Sequence, residues 1–268
     1  MAEKLITFVH LSDTHIHADP TFTGEFIDFS SRPTVAALID HINALPIDID
    51  FVLHTGDIMT DPEKGEDYRI ARDILRGIKY PVHFVPGNHD NPEWVQRYLL
   101  NLPEQDIRPE LDYTFEVNGV QIICLDSHNA MPDAHSGKLE DNQIAWLDEL
   151  VSAKDDRPLV VGIHHHPVAL QAPWLDNIVL TNGAALHNTL LKARHRLRGV
   201  FYGHIHENIA TTRDGITYYS ALSGWFQTRT WHAQAEPTND PIHNPGFNLV
   251  TLTERDTFVR FYRLPMPF

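Results

Sequence analysis

Six short apolar or β-branched runs constrain this chain most: residues 5–11, 50–54, 82–86, 120–125, 158–163 and 199–202. Runs of this length with little polar alternation are the signature of strands buried on both faces, so a further layer must cover each side. Segments with helical spacing lie between several of them. Residues 33–45 place Val35, Leu38, Ile39 and Ile42 on one face, with Pro33 suited to the first turn. Residues 66–75 and 143–151 read the same way, the latter through Ile144, Leu147, Leu150 and Val151. Two hairpin signals break the strand–helix rhythm. Asn118-Gly119 separates 113–117 from 120–124, and Asp214-Gly215 separates 209–213 from 216–220. Residues 247–253 and 258–263 make a final strand pair. The expected architecture is a mixed-sheet α/β system with outer helices. No linker, repeat or low-complexity block divides it, so a single domain over 1–268 is expected. Two weakly periodic stretches with Trp and Pro, 167–182 and 224–246, read as loops.

The chemistry lies just past the strand ends. Asp13-Thr14-His15 comes after the first strand, Gly56-Asp57 after the second and Gly87-Asn88-His89-Asp90 after the third. His164-His165-His166-Pro167 comes after residues 158–163, and Gly203-His204-Ile205-His206 after 199–202. Loops at the carboxyl ends of strands in α/β sheets converge on a shared crevice. In Asp-x-His and His-x-His, side chains two apart share one side of an extended segment. Gly56, Gly87 and Gly203 allow close backbone approach. Taken singly, a His at a strand end is ordinarily a hydrogen-bonded polar residue, and Asp13 or Asp57 would serve equally as a cap or turn residue. Five such clusters at five strand ends point instead to a metal site. Carboxylate oxygens mixed with imidazoles suit Mn, Fe, Zn or Co better than a thiolate-type centre.

Composition agrees. The chain carries 18 His against one Cys, and 21 Lys+Arg against 36 Asp+Glu give a net charge of −15. That balance argues against a nucleic-acid partner, whose phosphates need a basic surface. With 42% hydrophobic residues the chain has ample core material. No apolar run approaches the ~20 residues of a membrane helix, and residues 5–9 run straight into His10 without a leader-type cleavage site. One cysteine permits no internal disulfide, so a reducing cytoplasm is the expected compartment. Cys124, inside Ile122-Ile123-Cys124-Leu125, reads as a buried hydrophobe rather than a nucleophile.

The ordered pattern Asp13-x-His15, Gly56-Asp57, Gly87-Asn88-His89-Asp90, His165-x-Pro167 and Gly203-His204-x-His206 resembles the calcineurin-like metallophosphoesterase superfamily over residues 13–206. The resemblance implies a four-layer αββα fold, two mixed β-sheets packed as a sandwich with flanking helices. It implies two divalent or trivalent ions, one held by Asp13, His15, Asp57 and His206. The other would be held by Asp57 as the bridge, Asn88, His165 and His204, with His164 as the fallback in the triple His. Two ions sharing a carboxylate lower the pKa of a water between them and neutralise a phosphoryl group, so an acidic protein can still hydrolyse a phosphate ester. By the same resemblance His89 would face the phosphate, stabilising the transferring group or protonating the leaving alkoxide. Asp90 would orient His89 or, equally, serve the local turn. A purple acid phosphatase, with a metal-binding Tyr three residues after the bridging Asp, is disfavoured by Thr60.

The stretch Gly24-Glu25-Phe26-Ile27-Asp28, the compact length and Asn88-His89-Asp90 resemble the bacterial branch of class III cyclic-nucleotide phosphodiesterases and glycerophosphodiesterases. The expected substrate is therefore a small phosphodiester such as 3′,5′-cyclic AMP or a glycerophosphodiester. A phosphomonoesterase, a phosphonate monoester hydrolase or a non-catalytic scaffold of the same fold are the alternatives, though a scaffold should have lost ligands that this chain keeps. Asp61 could support the site from behind the ligands, but reads sooner as a solvated loop acid. His17, His41, His54, His83, His187 and His195 lie off the pattern. Trp174, Trp225, Phe226 and Trp231 could pack within their loops, stack on a nucleobase or form a subunit contact, which leaves a homo-oligomer open. Arg32 and Arg229 could reach a second phosphate. Specificity is expected in loops 22–32 and 224–246.

Overall fold

The structure is a computed structural model, described over residues 3–24, 27–129, 135–242 and 244–265. Glu25 and Phe26, part of the stretch used for the branch resemblance, lie outside the described residues. The strands, in chain order, are β1 (Lys4–Leu11), β2 (Phe51–His54), β3 (Val82–Phe84), β4 (Tyr113–Val117), β5 (Val120–Leu125), β6 (Leu159–Ile163), β7 (Leu197–Tyr202), β8 (Ala210–Arg213), β9 (Ile216–Ser220), β10 (Gln227–Thr228), β11 (Asn239–Asp240), β12 (Gly246–Thr253) and β13 (Thr257–Arg263). The helices are α1 (Ser31–Asn43), α2 (Tyr68–Leu75), α3 (Pro92–Trp94), α4 (Asp141–Ser152), α5 (Pro173–Asp176) and α6 (Gly183–Leu190).

One sheet has the order β13-β12-β1-β2-β3 and the other β4-β5-β6-β7-β9-β8. Both are mixed. β1, β2 and β3 run parallel while β12 and β13 are antiparallel. β5, β6, β7 and β9 run parallel, with β4 and β8 antiparallel at the edges. Three apolar layers follow from the period-2 alternation of strand side chains. Ile6, Phe8, Phe51, Leu53, Ile122, Val160 and Phe201 meet between the sheets. Val9, Leu11 and Val52 face outward onto Val35, Leu38 and Ile42 of α1. Val161, Ile163 and Val200 face outward onto Leu147 of α4 and Leu186 of α6. Helix, sheet, sheet and helix thus stack as the expected αββα sandwich.

Both hairpins form where the Asn-Gly and Asp-Gly pairs place them. Asn118 and Gly119 take φ 48° and 76°, and Asp214 and Gly215 take 50° and 82°, the left-handed pairs of a tight two-residue turn. Two stretches read as loops carry short elements: α5 lies within 167–182, and β10 pairs with β11 within 224–246. Helix α6, which the periodicity does not announce, packs Leu186 and Leu190 under the second sheet. Among the described residues no helix is long and apolar enough to cross a membrane.

Candidate metal centre

The carboxyl ends of β1, β2, β3, β6 and β7 meet at one edge of the sandwich. Past β1 and β2 the two segments run on side by side, and Asp13 and His15 donate backbone N–H bonds to the carbonyls of Gly56 and Asp57 at 2.9 and 3.0 Å. This zipper brings Asp13, His15 and Asp57 to one spot. Asp13, His15, Asp57, His204 and His206 all sit in the left-handed backbone region, with φ between 44° and 71°. Such conformations cost free energy and persist where surrounding contacts over-determine them, typically at functional sites. Two glycines make room. A Cβ on Gly56 would lie 2.4 Å from His164 Nδ1, and one on Gly203 would lie 1.9 Å from Ser12 Oγ.

Two groups of ligand atoms result, each with members within 4.8 Å of one another: Asp13, His15, Asp57 and His206, and His164, His165 and His204. All are buried. His164 joins the groups, since its Nε2 lies 3.3 Å from Asp57 Oδ2 and 3.1 Å from Asn88 Oδ1. The site residues expected from sequence therefore come together. None of His17, His41, His54, His83, His187 or His195 belongs to either group. Within the triple His, however, it is His164 that faces Asp57 and Asn88. His165 turns its Nδ1 to Ser127 Oγ at 2.8 Å. The reason is alternation: Val160 points between the sheets, and His164 continues that even-numbered face past the strand end.

The hydrogen bonds fix the tautomers. His164 Nδ1 meets the carbonyl of Thr55 at 2.7 Å, His204 Nε2 that of Ile178 at 3.0 Å and His206 Nδ1 that of Phe226 at 3.0 Å. A carbonyl only accepts, so each of these nitrogens carries the proton. Thr60 donates its hydroxyl to the carbonyl of His15, so it accepts from His15 Nδ1 at 3.0 Å. In the neutral rings the inward nitrogens are then lone pairs. His15 Nε2 and His206 Nε2 face each other at 3.1 Å, and His206 Nε2 faces Asp13 Oδ1 at 3.4 Å. Imidazole nitrogens and carboxylate oxygens converging in this way suit a cation, and outward nitrogens held by acceptors are how metal-binding imidazoles are oriented.

Electrostatics make the same demand. Burial opposes ionising Asp57, yet His164 and His89 hold its carboxyl well below the usual range. Burial likewise opposes charging His164, but the Asp57 carboxylate raises that ring to about 9. Burial pushes His15 down to about 3. The centre thus attracts positive charge, while burial keeps His15 and His204 neutral.

Asp90 does not orient His89. Its Oδ2 accepts from the backbone N–H of Gly87 and Ile58 at 2.9 and 3.0 Å, and its Oδ1 from Met59 N–H and the Tyr68 hydroxyl at 3.2 and 3.0 Å. The carboxylate is consumed in clamping the loops after β2 and β3 together. Burial, then Asp57, raises its pKa to about 6. The partner of His89 is Asp61, with Nδ1 to Oδ1 at 2.9 Å. From sequence Asp61 reads as a solvated acid, and its side chain is indeed mostly exposed. No spacing rule pairs it with His89; only the left-handed turn at Asp61, φ 41°, aims it there. The arginines singled out are also engaged. Arg32 donates to the carbonyls of His17 and Ala18, and Arg229 pairs with Asp240 at 3.0 Å.

A centre of buried Asp and His with a half-buried Asn, at the shared carboxyl edge of two facing mixed sheets, defines a metal-dependent phosphoesterase architecture. The chain belongs to the calcineurin-like phosphoesterase family, whose model matches residues 6–208. Among curated proteins it is 31% identical over 233 residues to the glycerophosphodiester phosphodiesterase GpdQ of Enterobacter lignolyticus, covering 86% of this chain and 82% of the relative. It is 29% identical over 218 residues to the 3′,5′-cyclic adenosine monophosphate phosphodiesterase CpdA of Pseudomonas aeruginosa, covering 81% and 76%. These relatives are consistent with the bacterial class III branch. The fold is shared with a dimetal phosphatase from Danio rerio, at a TM-score of 0.72 with 15% identity and 97% of each chain covered.

Proposed function

We propose that this protein is a dimetal phosphodiesterase that cleaves a P–O bond of a small phosphodiester, such as 3′,5′-cyclic AMP or a glycerophosphodiester. The observation that carries the reading is the convergence of imidazole nitrogens and carboxylate oxygens at the strand ends. Asp13, His15, Asp57 and His206 would hold one ion, and Asp57, Asn88, His164 and His204 the other, with His164 in the place that the resemblance gives to His165. The donor set of carboxylate oxygen, amide oxygen and imidazole suits Mn, Fe, Zn or Co. Two such ions, when bound, supply an activated water and the positive charge for the phosphoryl oxygens.

The chain's own groups do the rest. His89 lines the cavity over the centre. Its Nδ1 carries a proton because the Asp61 carboxylate only accepts. Burial opposes charging this ring, but Asp57 and Asp61 raise it to about 9, so Nε2 also carries a proton near neutral pH. From Nε2 the ring can donate to a phosphoryl oxygen or to the leaving alkoxide. Asp61 is the positioning residue that holds it there. The names of GpdQ and CpdA support a diester over a monoester.

The test is initial rates of the Mn²⁺-reconstituted protein on bis-p-nitrophenyl phosphate and p-nitrophenyl phosphate, beside 3′,5′-cyclic AMP and a glycerophosphodiester. Diester preference is expected. Monoester preference would move the protein to the phosphatases.

A further inference from the structure

The cavity over the centre has a volume of about 720 Å³, within the range of small-molecule sites. Beyond the ligand residues and His89, its walls are dominated by Phe22, Trp174, Ile178, Trp225, Phe226 and Pro237. Among the described residues no Lys or Arg lines it, and the residues outside the described set include neither. Arg32, in the first turn of α1, and Arg229 are bound to backbone carbonyls and to Asp240 respectively. From this we propose that the site takes a phosphodiester of a single negative charge, one of whose alcohols carries a flat aromatic group, and that it turns away esters bearing a second phosphate. The inference rests on the phosphodiesterase reading and narrows its substrate class.

The aromatic wall is built. Trp225 donates its indole N–H to the carbonyl of Phe29 at 2.8 Å and is buried as a backing to the wall. Phe226 stands edge-on to it, ring centroids 5.2 Å apart at 80°, and packs against His206 at 4.4 Å. Phe22 is stacked on His17 at 4.0 Å. Rings pinned in this way offer apolar contact without collapsing into the space, and an aryl or heteroaryl group gains most from such contact. Charge sets a separate limit, independent of the rings. Asp13 and Asp57 against two divalent ions leave about two positive charges, which one phosphodiester partly neutralises. A second phosphate would find no cationic side chain, in a chain of net charge −15. Among the described residues, Asp61 is the one carboxylate of the cavity wall outside the candidate ligands, and it is committed to His89.

The experiment keeps the leaving group constant and varies the second alcohol: p-nitrophenyl diesters of methanol, phenol and choline, with the Mn²⁺-loaded protein. The phenyl ester should exceed the methyl ester in kcat/KM by about 10-fold or more. The choline ester tests whether the rings instead hold a quaternary ammonium, and it should do no better than methyl. Trp174→Ala should bring the phenyl-to-methyl ratio toward one, and Trp174→Phe should restore it. For charge, the p-nitrophenyl ester of thymidine 5′-phosphate is compared with the same ester carrying a 3′-phosphate. Wild type should favour the former by about 10-fold, and Asn239→Lys, at the cavity wall, should narrow the gap. Equal phenyl and methyl rates, a choline preference, or indifference to the second phosphate would each overturn the inference while leaving the phosphodiesterase reading intact. Hydrolysis of none of the esters would overturn both.

Discussion

His89 Nδ1 lies 2.9 Å from Asp61 Oδ1, across a sequence separation of 28 residues. The Asp61 side chain is 74% exposed, so the pair contributes little to stability and its consequence is orientation and charge. Asp61→Asn should lower kcat by about 10-fold with ion content intact, and the basic limb of the pH–rate profile should move to lower pH, because the ring loses the carboxylate that keeps it protonated. Parallel loss of ions and activity would instead make Asp61 structural.

His89→Ala should cut turnover by about 10²–10⁴-fold while metal content stays near wild type. Elemental analysis decides this. A protein that loses an ion with this side chain has His89 as a ligand.

Asp57 faces both ligand groups, its Oδ2 lying 3.7 Å from His15 Nε2 and 3.3 Å from His164 Nε2. Asp57→Ala should therefore abolish hydrolysis and deplete both ions together. Full activity in this variant would remove the dimetal reading.

His164 and His165 separate cleanly. His164→Ala should lose about one ion per chain and nearly all activity, whereas His165→Ala, which breaks the contact with Ser127, should keep both ions. The opposite metal counts would return the ligand role to His165.

Acid should destabilise the fold through buried neutral histidines. His10 is fully buried, between Thr55 Oγ1 at 2.9 Å and Asn248 at 3.2 Å, and burial pushes it down to about 3. His54 is pushed down to about 4 for the same reason. Unfolded, both take a proton near 6.5. Their contribution is thus present above about 6.5 and is lost as the pH falls from there toward the folded values. His10→Gln should flatten that acid limb in denaturant titrations; an unchanged slope would show that His10 does not set it.

Most of the scaffold was legible because strand runs, Asn118-Gly119 and Asp214-Gly215 are local signals. The candidate ligands were legible because they sit within four residues past those runs. What was not legible depended on direction rather than identity. The choice of His164 over His165 needed the face parity set by Val160, a signal the sequence does contain. Asp61, not Asp90, pairs with His89 because backbone turns after β2 decide where each carboxylate aims. Helix α6, Gly183–Leu190, has too few apolar positions to declare a face until the second sheet supplies one.

The candidate ligands straddle the sandwich: Asp13, His15, Asp57 and Asn88 extend from the first sheet, and His164, His204 and His206 from the second. Neither sheet alone can assemble a complete set, so the centre exists only once the two have docked, a late event in a fold dominated by non-local pairing. Ion binding would then act as a rivet driven through a finished joint. It draws the folding equilibrium toward the docked state by mass action, and ion release becomes a report on the opening of the sandwich itself.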